Sequence, residues 1–370
     1  MKRIFPLLLL IFVLQPVAFL WGSNGTEGAS FLDIPVGAAP AALGSAYSAL
    51  ATDAYAPVYN PAGLGFLSAP QLSAQHLDYL ESIHYEFGSF VIPLGRSWPA
   101  ADGEPRTANR GLGGSIQYLG SGDIAGTSPS GAPIGDFSVR YAAYSLSYGQ
   151  KVTDRCALGV TGKIVDGKID DAAARAYAGD AGAMCQASEK VTLSATANNV
   201  GSKLTFTSQG DSLPAAYHLG AAFHLQNSLK STLEGVYSQT GLLSGRTGVE
   251  WTPIDMISLR TGYKTDTIKG LSPLAGLTVG MGIHVFGQEF AYAWLPYGDL
   301  GDTQYFSMLI KFGAREETRR NLIQYQAIRQ HRNSGTRDIN NNEPEYQQLM
   351  QLLNDDENRD ALAPMVGVGQ

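Results

Sequence analysis

The histidines are the first residues to test for chemistry, because imidazole serves both as a metal ligand and as a general base. The chain contains six of them. No two have the spacing that places both on one helix face beside a carboxylate, and none adjoins a cysteine pair. The pattern predicts no metal site and instead favours polar positions that face an interior. The six are His76, His84, His218, His224, His284 and His331.

The glycines of GSGDIAG at 120–126 resemble a phosphate-binding loop in composition. Such a loop needs a Lys followed by Ser or Thr, because the ammonium contacts the phosphates and the hydroxyl binds Mg²⁺. No such pair follows here, and the sequence contains neither a nucleophile elbow nor a Ser-His-Asp arrangement. The sequence therefore predicts a protein that is not an enzyme and that uses no cofactor.

The chain is acidic overall, with 26 Lys and Arg against 33 Asp and Glu and a formal net charge of −7. A cluster of basic residues appears only after residue 315. A nucleic-acid-binding surface needs concentrated positive charge to meet the phosphates. The composition therefore predicts no nucleic-acid partner.

The N-terminus has the layout of a secretory signal. Lys2 and Arg3 precede an apolar run at 4–21, and small residues follow from Gly22 onward. A membrane anchor is the alternative, but two prolines interrupt the run and no second apolar stretch of about 20 residues follows. We therefore predict a cleaved signal at residues 1–22.

Apolar residues between Pro70 and Phe312 recur with a period of two, which is the strand signature. One face of each segment suits lipid, and the opposite face suits a crowded lumen. Segments 217–225 and 306–312 show the same alternation as 276–285. In 276–285 the lipid-type face carries Leu277, Val279, Met281, Ile283 and Val285, and the lumen-type face carries Gly276, Thr278, Gly280, Gly282 and His284.

Fourteen segments follow this pattern, and an even number is what a bacterial single-chain barrel requires. The sequence thus predicts an all-β fold, a closed antiparallel transmembrane β-barrel over residues 71–312. Strands are expected near 71–77, 83–93, 111–119, 137–149, 157–166, 175–185, 191–198, 215–225, 230–238, 246–252, 257–264, 275–285, 289–295 and 304–312.

Connection lengths support the same architecture, because outer-membrane barrels alternate short periplasmic turns with longer outer loops. Long connections are expected at 120–136, 199–214 and 264–273, with short ones between them. The long connection between the second and third strands departs from this alternation. A soluble, exported β-sandwich or propeller is the alternative fold.

Small residues crowd the segment 31–67, and Asn60-Pro61-Ala62-Gly63-Leu64 closes it. This pattern resembles the N-terminal region of the PorV/PorQ and FadL-type outer-membrane proteins. The resemblance covers about a tenth of the chain. The matching positions are Phe31, Leu32, Ile34, Pro35, Val36, Gly37, Ala42, Leu43, Gly44, Ala46, Tyr47, Ala49, Asp53, Ala56, Asn60, Pro61, Ala62, Gly63 and Leu64.

The resemblance implies that residues 23–70 plug the barrel in the outer membrane. In FadL-type proteins such a plug must shift before a hydrophobic substrate passes. PorV-type barrels instead engage exported protein cargo. We therefore expect transport of hydrophobic or amphipathic small molecules, with a role in protein secretion or cargo attachment as the alternative. A continuous apolar lane in the lumen would favour the first, and large ordered outer loops with exposed apolar side chains would favour the second.

Within the plug, seven residues are expected to matter for packing or gating. Asn60 can cap the short helix that Pro61 begins, because proline at the first helical position loses no hydrogen bond. Glycines allow turns and close contacts with the wall. The seven are Gly37, Gly44, Asp53, Asn60, Pro61, Ala62 and Gly63.

Residues 313–370 differ in character from the barrel. A charged, helix-prone stretch, a linker and a second helical pattern with one apolar stripe follow each other. The stripe either docks on the underside of the barrel, pairs with a periplasmic partner, or stays disordered. We expect a periplasmic tail that is helical or disordered.

Two cysteines, Cys156 and Cys185, lie in one predicted hairpin. If its turn is centred on Asp170 and Asp171, the two sulfurs face each other at the periplasmic end, within reach of a disulfide. The same register places Thr161 opposite Asp180 in the lumen, with Lys163 diagonal to that aspartate. The alternatives are two reduced, buried thiols or a longer loop that shifts the register.

Overall fold

A computed structural model gives the fold of the chain. The predicted signal at 1–22 and the predicted tail at 313–370 lie outside the part that it describes. None of the described helices is long and apolar enough to cross a membrane. The structure describes residues 27–79, 83–94, 109–266, 273–298 and 301–312.

Fourteen strands form one closed antiparallel barrel, in which β1 (Gln71–Asp78) pairs with both β2 (Ile83–Leu94) and β18 (Asp302–Lys311). The pairing of the first strand with the last leaves no exposed sheet edge. The other wall strands are β3 (Arg110–Ser121), β6 (Val139–Lys151), β7 (Cys156–Ile169), β8 (Ala172–Gln186), β9 (Val191–Gly201), β12 (Ala216–Gln226), β13 (Leu229–Ser238), β14 (Leu243–Ile254), β15 (Ile257–Lys264), β16 (Leu277–Val285) and β17 (Gln288–Pro296).

The predicted fold class is confirmed, and every predicted strand lies within three residues of an observed one. The predicted faces are also correct. In β16 the Met281 side chain is 41% exposed on the outside of the barrel, whereas Thr278 is fully buried in the lumen. In β18 Phe306 points outward and Ser307 inward. Period-two patterning therefore identified both the strands and their orientation, which contradicts the sandwich and propeller alternative.

The two ends of the barrel differ in their connections. We call the end where β1 begins and β18 finishes the turn end, and the opposite one the loop end. Connections 152–155, 187–190, 227–228, 255–256 and 286–287 are short and lie at the turn end. The long connections at the loop end include two hairpins, β4 (Ile124–Thr127) with β5 (Pro133–Phe137) and β10 (Leu204–Thr205) with β11 (Gly210–Asp211).

The predicted exception to this alternation also occurs, because the long connection between β2 and β3 lies at the turn end. Most of it, residues 95–108, lies outside the described part of the chain.

The hairpin of β7 and β8 has the predicted register without a bulge, from Cys156 opposite Cys185 to Ile169 opposite Ala172. The two sulfurs are joined in a disulfide, and the Cα atoms are 4.2 Å apart. In the lumen, Lys163 Nζ lies 2.8 Å from Asp180 Oδ2, as their diagonal positions imply.

Two of the histidines correct the expectation of interior positions. His76 in β1 and His84 in β2 are exposed on the outside of the barrel near the loop end. His76 contacts Glu86 at 2.6 Å, and His84 contacts Asp78 at 3.1 Å. The prediction was wrong for these two because a polar group at the edge of the apolar band finds water and charged partners there. His331 lies outside the described residues.

The N-terminal segment runs through the lumen from one end of the barrel to the other. Near the loop end the amide of Gly28 donates to Ser212 O at 2.8 Å, and at the turn end the amide of Phe312 donates to Pro70 O at 3.0 Å. The side chains between these points form most of the buried apolar core. The segment contains two short helices, Ala38–Ala42 and Ala56–Tyr59, and two 3₁₀ helices, Ser30–Asp33 and Pro61–Phe66.

Candidate functional site

Asn60 joins three parts of the molecule and is fully buried. Its Oδ1 accepts a hydrogen bond from the Ala62 amide at 3.1 Å, which is the predicted cap of the 3₁₀ helix that Pro61 begins. Its Nδ2 donates to Ser48 O at 2.9 Å within the plug and to Ala183 O at 3.2 Å on β8. One amide side chain thus orients the last turn of the plug and attaches it to the barrel wall.

The 3₁₀ helix Pro61–Phe66 packs on a row of glycines that the sequence analysis missed. Four lumen-facing glycines occupy directly paired positions on β3, β6, β7 and β8. A Cβ atom at any of them would lie 2.2–2.3 Å from a plug atom. The plug therefore contacts the bare backbone of the wall. This first glycine row consists of Gly111, Gly149, Gly159 and Gly182.

A second glycine row supports the middle of the plug. Gly248 and Gly262 are paired on β14 and β15, and a Cβ on Gly262 would lie 2.2 Å from Gly44 N. Gly44 itself has φ +64°, which favours glycine, and its amide donates to Thr278 Oγ1 at 3.0 Å. Thr278 Oγ1 donates in turn to Ala42 O at 2.8 Å. Plug and wall here share both close packing and hydrogen bonds.

Gly37 and Gly63 also need the absence of a side chain, as predicted for plug glycines. Gly37 has φ +82°, and its Cβ would lie 2.6 Å from the Tyr55 ring. A Cβ on Gly63 would lie 1.6 Å from Ala51 O. The plug is therefore tightly folded on itself as well as against the wall.

Glu234 on β13 is a buried carboxylate that holds the centre of the plug. Its Oε2 accepts from the Ser48 amide at 3.0 Å and from the Ser48 hydroxyl, and its Oε1 lies 2.8 Å from His218 Nδ1. Hydrogen bonds to a buried carboxylate are stronger than neutral ones. This contact is the main charged anchor between the plug and β12–β13.

Asp53 acts within the plug. Its carboxylate accepts from the Tyr47 hydroxyl at 2.5 Å and from the Tyr55 amide at 3.0 Å. Burial raises the pKa of Asp53, because the charged form loses hydration, while the two hydrogen bonds oppose that shift. Asp53 therefore shapes the turn that positions the Tyr55 ring against Phe87 of β2, with ring centroids 6.1 Å apart.

Above the plug, a chamber of about 820 Å³ lies at the loop end of the lumen. Aromatic rings form part of its lining, with Phe31 stacked on Tyr141 at 5.5 Å between centroids. A charged pair forms another part, with Arg246 Nη2 2.8 Å from Asp266 Oδ2. The chamber thus offers both apolar surface and charge. Other residues that line it include Asp33, Tyr79, Lys163, Asn199, Phe206 and Tyr297.

The described residues bring together no group of three side chains with metal-ligand chemistry. They do form a chamber with an apolar part and a charged part, and a folded plug lies beneath it. The wall holds the plug by close contacts at glycines and by hydrogen bonds. Such an arrangement can bind a small molecule and control its passage.

Comparison with known proteins finds similarity in structure alone. No protein-family model matches the chain, and no curated protein matches it. The toluene transporter TbuX of Ralstonia pickettii is 13% identical, with 75% of this chain and 98% of that chain covered and a TM-score of 0.54. The monoaromatic hydrocarbon channel CymD is 11% identical, with 80% of this chain and 100% of that chain covered and a TM-score of 0.53. The toluene transporter TodX of Pseudomonas putida is 13% identical, with 74% of this chain and 96% of that chain covered and a TM-score of 0.51.

At such low sequence identity, the structural similarity shows a shared fold and nothing finer. Membership of the PorV/PorQ group remains a prediction. At least three quarters of the chain aligns with a solved toluene transporter and a solved monoaromatic hydrocarbon channel. Its fold is that of these barrels.

Proposed function

We propose that the protein is an outer-membrane channel that passes hydrophobic or amphipathic small molecules through a plugged barrel. The observation that carries this proposal is the chamber of about 820 Å³ at the loop end, which ends on the plug. A chamber of this size suits a small organic molecule. The plug closes the chamber by close packing and hydrogen bonds, and such contacts can be released without breaking a covalent bond.

The outward face of the barrel supports placement in a membrane. Leu219 is 70% exposed, Leu233 53% and Phe306 50%. Large apolar side chains that stay exposed around a closed barrel suit hydrocarbon better than water. Exposed aromatic residues near the loop end, such as Tyr177 and Trp294, fit the interfacial belt of such barrels.

The chamber lining supports an amphipathic substrate. Tyr141 packs against both Phe31 and Phe206, and the three rings offer an apolar wall. Arg246 and Asp266 offer polar partners in the same space. The structural neighbours, which are named as toluene transporters and a monoaromatic hydrocarbon channel, support the apolar part of this substrate class.

The alternative, a PorV-like role with exported protein cargo, would favour loops that present apolar side chains outward. The β10–β11 loop does the opposite, because Leu204 is buried in the core and Phe206 packs on Tyr141 inside the chamber. This loop therefore serves the chamber, whereas Leu274 in another connection at the same end is 68% exposed.

Filling the chamber tests the proposal. Val236 is buried on the lumen side of β13 and lines the chamber. We expect cells with the Val236→Trp barrel to lose the uptake of a labelled amphiphile that cells with the unchanged barrel take up. Leu233→Trp, on the outward face of the same strand, is the matched control. Equal uptake by both variants would contradict a route through the chamber.

Removing the plug tests its role separately. Deletion of residues 38–66 should raise the conductance of the barrel in planar bilayers and the sensitivity of cells to bulky antibiotics. An unchanged conductance would show that the plug does not close the lumen.

A further inference from the structure

The lumen wall formed by β18, β1 and β2 differs from the rest of the wall. Gln71, Ser73 and Gln75 follow each other on the inner face of β1, two residues apart, and we call them the β1 column. All three are at least 97% buried. Gln71 Oε1, Ser73 Oγ and Gln75 Nε2 have no hydrogen-bond partner among the described residues, and the same holds for Ser89 Oγ, directly opposite Ser73.

Such a concentration of unpartnered buried polar atoms is unusual, because nearly all buried polar groups in folded proteins are hydrogen-bonded. The unpartnered atoms of the β1 column follow one another along the barrel, from Gln75 beside the plug helix Ala38–Ala42 to Gln71 at the turn end. A line of free donors and acceptors suits a molecule that brings its own polar group.

Apolar and polar side chains alternate on both sides of the β1 column. The register places Phe87 opposite Gln75 and Val91 opposite Gln71 on β2, and Leu309 opposite Ser73 on β18. All three apolar side chains are buried. Ser89 on β2 and Ser307 on β18 lie between or beside these apolar side chains. The strip therefore offers polar groups and apolar surface side by side, and an amphipathic molecule complements both.

The plug covers this strip through hydrogen bonds and through the Tyr55 ring, which packs on Phe87 with the ring centroids 6.1 Å apart. The Gly37 amide donates to Gln75 Oε1, and the Ala38 amide donates to Ser307 Oγ at 3.0 Å. The glycine rows on β3, β6, β7 and β8 and on β14 and β15 hold the plug by close backbone contact instead. Release of the turn at Gly37 and Ala38, together with a shift of the Tyr55 ring, would free Gln75 and Phe87 while the plug stayed seated on the glycine rows.

We infer that the transported molecule passes along the β1 column, between the plug and the wall of β18, β1 and β2. Its polar group moves from Gln75 to Ser73 to Gln71, and its apolar body slides along Phe87, Val91 and Leu309. This inference rests on the proposed function and deepens it, because it assigns the route and makes the substrate an amphiphile with one hydrogen-bonding end.

A cysteine placed on the route tests the inference. The native cysteines are joined to each other, so a Ser73→Cys variant has one free thiol. The matched control is Thr161→Cys on β7, which is equally buried but hydrogen-bonded to Ser147 Oγ at 2.8 Å and lies four strands away from β1 around the wall. Both barrels are folded first, placed in lipid nanodiscs and exposed to a small alkyl methanethiosulfonate, with and without dodecanoate as the competing probe.

We expect the Ser73→Cys thiol to be modified, dodecanoate to slow that modification, and the Thr161→Cys thiol to stay unmodified. Equal reaction of both thiols, or none at Ser73→Cys, would overturn the route. Modification without protection by dodecanoate would indicate a strip filled only by water, and would overturn it too.

Uptake into cells separates the route from the function. Complete modification of the Ser73→Cys barrel with a bulky thiosulfonate should abolish uptake of the labelled amphiphile. Persistent uptake after modification would refute the route and leave the transport function standing. Absence of uptake by the unmodified, unchanged barrel would refute the function itself.

Discussion

At the scale of single residues, the lumen depends on positions where a side chain would collide with backbone. Gly159 and Gly162 both lie on β7 but face opposite sides of the wall. A Cβ on Gly159 would lie 2.2 Å from the Pro61 carbonyl carbon, whereas a Cβ on Gly162 would meet nothing within 4 Å. One strand therefore contains both a position that tolerates no side chain and its natural control.

We expect Gly159→Ala to displace the 3₁₀ helix Pro61–Phe66 and to destabilise the protein by about 1–3 kcal/mol, the usual cost of overpacking. Gly162→Ala should change stability by less than about 0.5 kcal/mol, as a surface substitution does. Denaturation midpoints and single-channel conductance measure both effects. Equal midpoints and equal conductance for the two variants would show that the first glycine row does not bind the plug.

At the scale of elements, the alternation of faces along each strand has an energetic consequence. Met281 lies at the middle of β16 on the outward face, paired with Leu259 and Tyr292. Met281→Arg should destabilise the barrel by about 2–4 kcal/mol, because a charge on the lipid face near the midplane loses its hydration. Unfolding in lipid bilayers measures this difference. Ser130→Arg in the exposed turn between β4 and β5 should be neutral, and equal tolerance of the two changes would contradict a membrane-facing surface.

The hairpin of β7 and β8 is a second element with a measurable property. Its disulfide joins residues that are 29 positions apart at the turn end. Replacing both cysteines by serine should lower the free energy of unfolding by about 3 kcal/mol, since the cross-link restricts the unfolded chain. The hairpin should still form, because its pairing continues unbroken to Ile169 and Ala172. Alkylation without reduction, followed by mass measurement, reports the redox state, and two adducts would show free thiols in the native protein.

At the scale of the whole molecule, closure of the barrel is the decisive property. β1 pairs with β18 along its full length, so no strand edge is left unpaired in the wall. In hydrocarbon every unpaired backbone group costs several kcal/mol, so a wall of strands must close. We expect the unheated protein to keep its barrel in dodecyl sulfate and to migrate differently from the boiled protein on a gel. Identical migration before and after boiling would indicate an open or weakly held sheet.

The cooperation of plug and wall belongs to this scale as well. The first glycine row, the second glycine row and Glu234 contact the plug from seven of the fourteen wall strands. The wall of β18, β1 and β2 holds it by the hydrogen bonds of the turn at Gly37 and Ala38 and by the Tyr55–Phe87 ring contact. The side of the wall that lacks the glycine rows is the side that the inferred route uses.

Local patterns in the sequence were enough to determine much of this architecture. Period-two alternation identified the fourteen strands and their faces, because the direction of each side chain depends only on its position along a strand. The short turn at Asp170 and Asp171 determined the register from Cys156 to Cys185, because a tight turn allows only one pairing of the two strands that it joins. The cap of Asn60 on the Pro61 helix is equally local.

Only the tertiary structure decided how the plug meets the wall. Gly149 and Gly159 look like ordinary strand glycines in the sequence, and their role appears when pairing aligns them beneath Pro61. The outward positions of His76 and His84 and the unpartnered atoms of the β1 column became visible in the same way. Each of these features depends on residues far apart in the chain, and closure of the barrel around the plug is what brings them together.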